Sequence, residues 1–401
     1  MSSVQKATHG QTRSFNASLV LRTIYDRSPI SRAEVARATG LTRTSVSDLA
    51  GELIEARLVE EVGRGPSTGG KAPILLRVVA DARLVIGIDV ADGELRGALV
   101  DLRGEIRQTR TRELGGRDGE AAVRLVDELI AELVAIADRP LLGIGVATPG
   151  VIDSDAGIVR WSVHLDWRDL PLGPMIAERH GLPVHVVNDS QSAALAEFTF
   201  GLHPGRGNVV VVKVGRGIGA GIIVGGRLFG GDGHGAGEIG HTTIAEGDIA
   251  CRCGRFGCLE TFASSRGLVL RARQLATRIP GSLLSRFADD PSAITLETLQ
   301  DAFAAGDLAT RQLVLEGGRS LGAAIAGIVG MLDIERIVLV GTVPAFGDEW
   351  LDAVRDEVHR RALPMLADRA RIVIGLLSPD VAVLGASALM LTRELGLSLA
   401  R

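Results

Sequence analysis

The segment Leu84-Val85-Ile86-Gly87-Ile88-Asp89-Val90 is an apolar run of strand length, followed by a turn at Ala91-Asp92-Gly93 and a second strand, Leu95 to Asp101. Arg103-Gly104 turns into a third strand, Glu105 to Arg112. The arrangement recurs about 125 positions later: Val209 to Val214 reads as a strand, Gly215-Arg216-Gly217 as a turn, Ile218 to Val224 as a strand and Gly225-Gly226 as the next turn. Two copies of one unit, each followed by helical sequence, predict a duplicated α/β body with a cleft between the copies. Apolar residues make up 46% of the chain and aromatics only 3%, so the interior must be built from Val, Leu, Ile and Ala. The 51 glycines suit many tight turns rather than a helical bundle, and 401 residues imply two or three domains. Gly-rich hairpins beside a cleft can bind phosphate through backbone amides, although such a hairpin alone is more often only a turn.

All three cysteines, Cys251, Cys253 and Cys258, fall within eight positions, with His241 ten residues upstream of the first. One imidazole and three thiolates make a closed tetrahedral set for a structural zinc, with no position left for a reactive water. Gly254 and Gly257 let the backbone turn around an ion. The competing reading is a group of reduced structural cysteines; a disulfide would leave an odd thiol over. The first sixteen residues are polar, and the apolar stretch Leu321 to Leu332 is short for a bilayer and broken by glycines. The expectation is a soluble cytoplasmic protein without a membrane partner, which also suits reduced thiols.

Residues 1–80 carry a net charge of +4, from 11 Lys and Arg against 7 Asp and Glu, whereas the remainder carries −8 within a chain total of −4. A basic module on an acidic body points to an anionic partner for the first part. Leu19, Val20, Ile24 and Tyr25 follow a helical period. Ser31-Arg32-Ala33-Glu34 matches a capping box, and the short helix it opens ends near Gly40. Thr42 caps a third helix, from Arg43 to about Ala56. Two strands, Leu58 to Val62 and Ile74 to Val78, then flank a Gly-rich loop. The order describes a winged helix-turn-helix, in which Arg43, Thr44, Ser45 and Ser47 would enter a major groove of double-stranded DNA. Arg64 and Lys71 would sit on the wing. Such modules also serve as protein-docking domains.

Pro183 to Val187 reads as a buried strand that delivers Asn188-Asp189 to its carboxyl end, before a helix from Ser190 to Phe198. A polar pair there, beside a cleft, is placed to contact a ligand; equally, either residue could cap the helix. Glu238 and Glu260 flank the cysteine cluster, and a metal loop would draw both towards one place. The segments 271–310 and 345–370 read as surface helices without a functional signal.

Together these residues resemble the ROK family (repressors, open reading frames and sugar kinases), specifically its transcriptional-regulator branch; the run from Glu238 to Glu260 is the most specific part. The resemblance implies an actin-like, two-lobed sugar-kinase body behind the winged helix. Its divisions would be residues 1–80, 81–205 and 206–375, with a helix in 376–401 returning to the first lobe. It implies zinc at His241, Cys251, Cys253 and Cys258, and a sugar site lined by Asn188, Asp189, Glu238, His241 and Glu260. Ala147-Thr148-Pro149-Gly150 matches the family's Pro-Gly turn on the opposite wall. In the kinase branch Asp189 would be the general base. Here the phosphate-binding pattern departs: Ala91-Asp92-Gly93 stands where Gly-Gly-Thr is expected, Gly215-Arg216-Gly217 replaces Gly-Thr-Gly, and His164 stands where the family has a sugar-contacting Asn. Two like charges ~4 Å apart repel by about 1–4 kcal/mol depending on screening, so a carboxylate at Asp92 disfavours phosphates. The expectation is a sugar-responsive DNA-binding regulator, a homodimer or homotetramer, whose cleft binds its effector without phosphorylating it. The alternative is an active sugar kinase carrying a DNA-binding domain.

Overall fold

The computed structural model describes residues 9–66, 72–91, 93–201, 207–247 and 249–397; Lys71 and Asp92 lie outside them. The chain opens with α1 (His9–Arg27), which buries Val20, Leu21 and Ile24 along one stripe. A two-residue strand β1 (Ile30–Ser31) leads into α2 (Arg32–Thr39). The Glu34 N–H donates to the Ser31 hydroxyl while the Glu34 carboxylate accepts from the Ser31 N–H, the reciprocal cap its spacing predicts. The helix stops at Gly40, with φ +72°. In α3 (Arg43–Glu55) the Thr42 hydroxyl accepts from Ser45 N–H, and Val46, Leu49 and Leu53 are buried. β2 (Val59–Arg64) and β3 (Ile74–Val78) pair antiparallel, giving a three-stranded wing of order β1-β3-β2.

The first half of the body contains β4 (Leu84–Val90), β5 (Glu94–Asp101), β6 (Ile106–Glu113), α4 (Gly119–Ile136) and β7 (Leu141–Thr148). A small side sheet follows, of β8 (Val151–Asp153), β9 (Ile158–Ser162) and β10 (Trp167–Leu170), then α5 (Leu172–His180), β11 (Val184–Asn188) and α6 (Asp189–Thr199). The main strands lie in the order β11-β7-β4-β5-β6. The second half contains β12 (Val209–Val214), β13 (Ile218–Val224), β14 (Arg227–Leu228), α7 (Leu259–Ala263), α8 (Ser265–Arg278), α9 (Leu296–Ala304) and α10 (Leu308–Leu332). It closes with β15 (Arg336–Val340), α11 (Asp348–Arg361), α12 (Pro364–Ala367), β16 (Arg371–Ile374) and α13 (Val381–Leu395). Its sheet order, β16-β15-β12-β13-β14, repeats the first strand for strand. In both, the hairpin strands run antiparallel and the outer two parallel. The body is therefore the duplicated α/β architecture that the two hairpins predict.

The halves exchange helices. α6, which leaves the first sheet, packs on β12 and β13 of the second, while α13, which leaves the second, packs on β4 and β7 of the first. Where they cross, a Cβ on Gly385 would lie 1.7 Å from the Ser192 carbonyl, and the Ser192 hydroxyl donates to Ala382 O at 2.7 Å. Only glycine permits that approach.

Two expectations need amending. The segments 271–310 and 345–370 are more than surface cover: Leu284, Ile294, Leu299, Trp350 and Val354 are fully buried. Their apolar stripes meet α10, which threads the second core through Leu321, Ile325 and Val329. The apolar stretch seen at Leu321 to Leu332 is thus the end of a 25-residue helix, and α10 is the one described helix long and apolar enough to cross a membrane.

The winged helix is fastened to the body. The Tyr25 hydroxyl donates to Leu102 O at 2.8 Å, and Arg103 donates to Tyr25 O and Ser28 Oγ with its guanidinium 4.0 Å from the Tyr25 ring centroid. Burial pushes the Tyr25 phenol up to about 12, against the pull of Arg103. Val20 and Ile24 share a core with Met390 and Leu391 of α13 and with Leu397 just beyond it. Tyr25→Phe would leave the Leu102 carbonyl buried without its donor, so urea unfolding should show a loss of ~1–3 kcal/mol. An unchanged midpoint would show that this bond does not fasten the module.

Candidate functional site

Between the two sheets lies a cleft of about 780 Å³. Asn188, Asp189, Glu238, His241 and Glu260 all line it, as do Pro149, Gly150 and His164. Each arrives by a different local device. β11 ends at Asn188, and the parallel pairing of β11 with β7 sets Asn188 opposite Thr148, at the head of the Pro149-Gly150 turn. The Asn188 side-chain oxygen accepts from the N–H groups of Ser190 and Gln191, capping α6, while its Nδ2 donates to Gly150 O at 2.9 Å. Asn188 caps the helix and also lines the cleft.

Asp189 is the first residue of α6, and its Oδ2 lies 2.9 Å from the Lys213 ammonium. Burial works against the Asp189 charge, but Lys213 and the Ser190 N–H together hold its carboxyl below the usual carboxylate range. Lys213 in turn is held above the ordinary lysine range by Asp189 and Asp89, in spite of its burial. Burial, and then the charges of Asp189 and Glu260, push the Glu238 carboxyl up to about 7, with His164 opposing. Glu260 is 4% exposed and accepts from Ile218 N–H at 3.2 Å, which fixes it against the second hairpin.

The four proposed metal-binding residues converge. His241 closes a 3-10 turn, Ile239–His241, and Cys258 caps α7, the helix that presents Glu260. A donor atom from each of His241, Cys251, Cys253 and Cys258 lies within 4.8 Å of every other. Cys251 Sγ is 3.5 Å from His241 Nδ1, and Cys253 Sγ is 3.7 Å from Cys258 Sγ. Tetrahedral ligands with metal–sulfur bonds of ~2.3 Å sit ~3.8 Å apart, so the set has room for an ion at its centre. Burial and then the neighbouring sulfurs push the Cys258 thiol up to about 12. Three thiolates persist there together only with a cation among them. Gly257, with φ +73°, turns where a Cβ would lie 1.9 Å from Ala245 O.

Arg216 reaches from the second hairpin to the first, where a Cβ on Gly93 would lie 3.0 Å from its Nη1. Arg252 of the Cys/His loop donates to His164 Nδ1 at 2.7 Å, joining that loop to the opposite wall. Trp161, 46% exposed, also lines the cleft. Sequence reasoning missed Trp161 and Lys213 as site residues. Lys213 did carry a signal, as a charged residue set in the otherwise apolar run Val209-Val210-Val211-Val212-Lys213-Val214.

On the winged helix, Arg43, Thr44 and Ser47 are exposed at the start of α3, and Arg64 is exposed at the end of β2. Ser45 is half-buried, and its hydroxyl is 2.9 Å from that of Thr42. Glu60 and Glu61 pair with Arg77 and Arg32, so those two arginines are already engaged.

Comparison with known proteins places this geometry. Residues 85–393 match the ROK family and residues 10–67 the MarR family. The xylose repressor of Caldicellulosiruptor bescii is 32% identical over 96% of this chain and 97% of its own length. A glucokinase of Halalkalibacterium halodurans is 34% identical over 78% of this chain and 96% of its own length. The crystal structure of a ROK family transcriptional regulator, a homologue of the Escherichia coli Mlc protein, superposes with a TM-score of 0.83. It is 28% identical and covers 97% of this chain and 98% of its own. The glucokinase matches only part of the chain, whereas the repressor and the regulator match almost all of it, DNA-binding module included. The chain belongs to the ROK family, with a MarR-type DNA-binding module ahead of a sugar-kinase-like body.

Proposed function

We infer that this protein is a sugar-responsive transcriptional repressor of carbohydrate-metabolism genes, which holds its effector in the interlobe cleft without phosphorylating it. The observation that carries the reading is the continuity between cleft and winged helix. Asp189 begins α6; α6 crosses α13 at Gly385; and the end of α13 meets α1, where a Cβ on Gly396 would lie 2.6 Å from Ser18 Cβ. Packed helices that touch through backbone do not deform continuously, so a shift at Asp189 must be passed on or resisted as a unit. Full-length similarity to a protein named xylose repressor supports the same reading.

Asn188, Asp189, Glu238, His241 and Glu260 would hold sugar hydroxyls, and His164 would take part in selecting among them. Zinc on His241, Cys251, Cys253 and Cys258 would fix the loop between Glu238 and Glu260 and so keep the pocket in shape. A cytoplasmic homodimer or homotetramer would set two winged helices on an inverted-repeat operator in double-stranded DNA. Arg43, Thr44, Ser45 and Ser47 would contact the major groove, and Arg64 and Lys71 the backbone or minor groove. An effector that prefers one arrangement of the lobes changes the spacing of the two modules and hence their fit to the half-sites. A cytoplasmic location keeps the thiols reduced for metal.

A thermal-shift screen over D-xylose, D-glucose, amino sugars and their phosphates tests the pocket. The matching sugar should stabilise by about 2.7 kcal/mol at a hundredfold excess over Kd, and Asp189→Ala and Glu238→Ala should lose the shift. In a coupled assay with ATP the same sugar should give no turnover; a rate near ~1 s⁻¹ would make the protein a kinase. Elemental analysis should find one zinc per chain, lost in Cys253→Ser together with the sugar response. A zinc-free protein with an intact response would contradict the assigned role of the metal.

A further inference from the structure

Lys213 rises from β12 into the floor of the cleft, with a side chain only 17% exposed. One of its three ammonium donors is engaged by Asp189 Oδ2, and Asp189 Oδ1 accepts from the Ser190 N–H at 2.8 Å. Asp89, at the end of β4, faces the same cleft at 8% exposure, and its Oδ1 has no hydrogen-bond partner. Burial pushes the Asp89 carboxyl up; Lys213 opposes that rise and Asp189 adds to it. The three charges therefore act on one another. Two carboxylates in so enclosed a place do not both stay ionised without a cation between them.

Phosphoryl transfer meets that need with a dissociable divalent ion, which keeps open positions for phosphate oxygens. An ammonium on a four-carbon stem brings charge and donors but offers no coordination position. We propose that Lys213 is a tethered cation that stands in for a divalent ion between Asp189 and Asp89, fixing Asp189 as an acceptor for a sugar hydroxyl and closing the cleft to metal-dependent phosphoryl transfer. A general base must have the proton affinity to keep the proton it takes. Asp189 is held as an anion by Lys213, which lowers that affinity, so its remaining lone pairs can receive a hydroxyl hydrogen bond without removing the proton. Lys213 is thus a positioning residue, acting through Asp189. The proposal rests on the regulator reading for its biological sense.

The test contains neither sugar nor DNA, so its outcome is independent of whether the effector or the operator has been identified correctly. Mn2+ binding to the full-length, zinc-loaded chain is followed by electron paramagnetic resonance. Wild type should show no Mn2+ site that Asp89→Asn abolishes. Lys213→Met, or Lys213→Gln should the first variant fail to fold, should bind Mn2+ at least tenfold more tightly than wild type, and K213M/D89N should lose that gain. A merely structural lysine would not create a metal site. An Asp89-dependent Mn2+ site in the wild type, or folded Lys213 variants that gain none, would overturn the proposal.

Discussion

The contact on which this architecture depends is the crossing of α6 and α13, where Gly385 lets a helix backbone touch the Ser192 carbonyl. Each helix belongs in sequence to one half of the body and packs on the sheet of the other. That exchange is what makes a cleft: the amino-terminus of α6, with Asp189, is brought under the second hairpin and opposite Lys213. A larger residue at Gly385 would separate the helices by more than the packed interior tolerates. It would also separate the charged groups that line the floor.

From that crossing the rest follows by contact. The second hairpin positions Glu260 through the Ile218 N–H, α7 carries Glu260, and Cys258 caps α7. The Cys/His loop is therefore not an appendage. It ties His241, beside Glu238, to the helix that presents Glu260, and its Arg252 reaches across to His164. On the other side, α13 runs from the crossing to α1, so the winged helix rests on an element that also lines the cleft at Val381. A ligand between the lobes meets groups attached to both ends of this chain of contacts.

Much of this was legible in the sequence, and for identifiable reasons. The two hairpins show because apolar runs bounded by glycines recur in register, and the capping box at Ser31 and Glu34 shows because it is local. The metal-type cluster is legible because its four residues fall within eighteen positions. What escaped depends on the exchange of helices. Lys213 and Asp189 are 24 positions apart on different halves, and His164 and Arg252 are 88 apart. No periodicity announces such meetings. The buried faces of α9 and α11 were hidden in the same way, because their stripes acquire meaning only when α10 supplies the surface they cover. Asn188 was read as a choice between cap and ligand contact; the amide caps α6 with its oxygen and ties the Gly150 turn with its nitrogen, while lining the cleft.

The central claim is that occupancy of the cleft by a sugar is felt at the winged helix. The direct measurement is the affinity of the full-length protein for duplex DNA that it has itself selected from a random pool, taken with and without a saturating sugar that stabilises it. The account predicts at least a tenfold change in affinity, equivalent to about 1.4 kcal/mol of coupling, and its disappearance in Asp189→Ala. Identical DNA affinity with the cleft demonstrably full would contradict it.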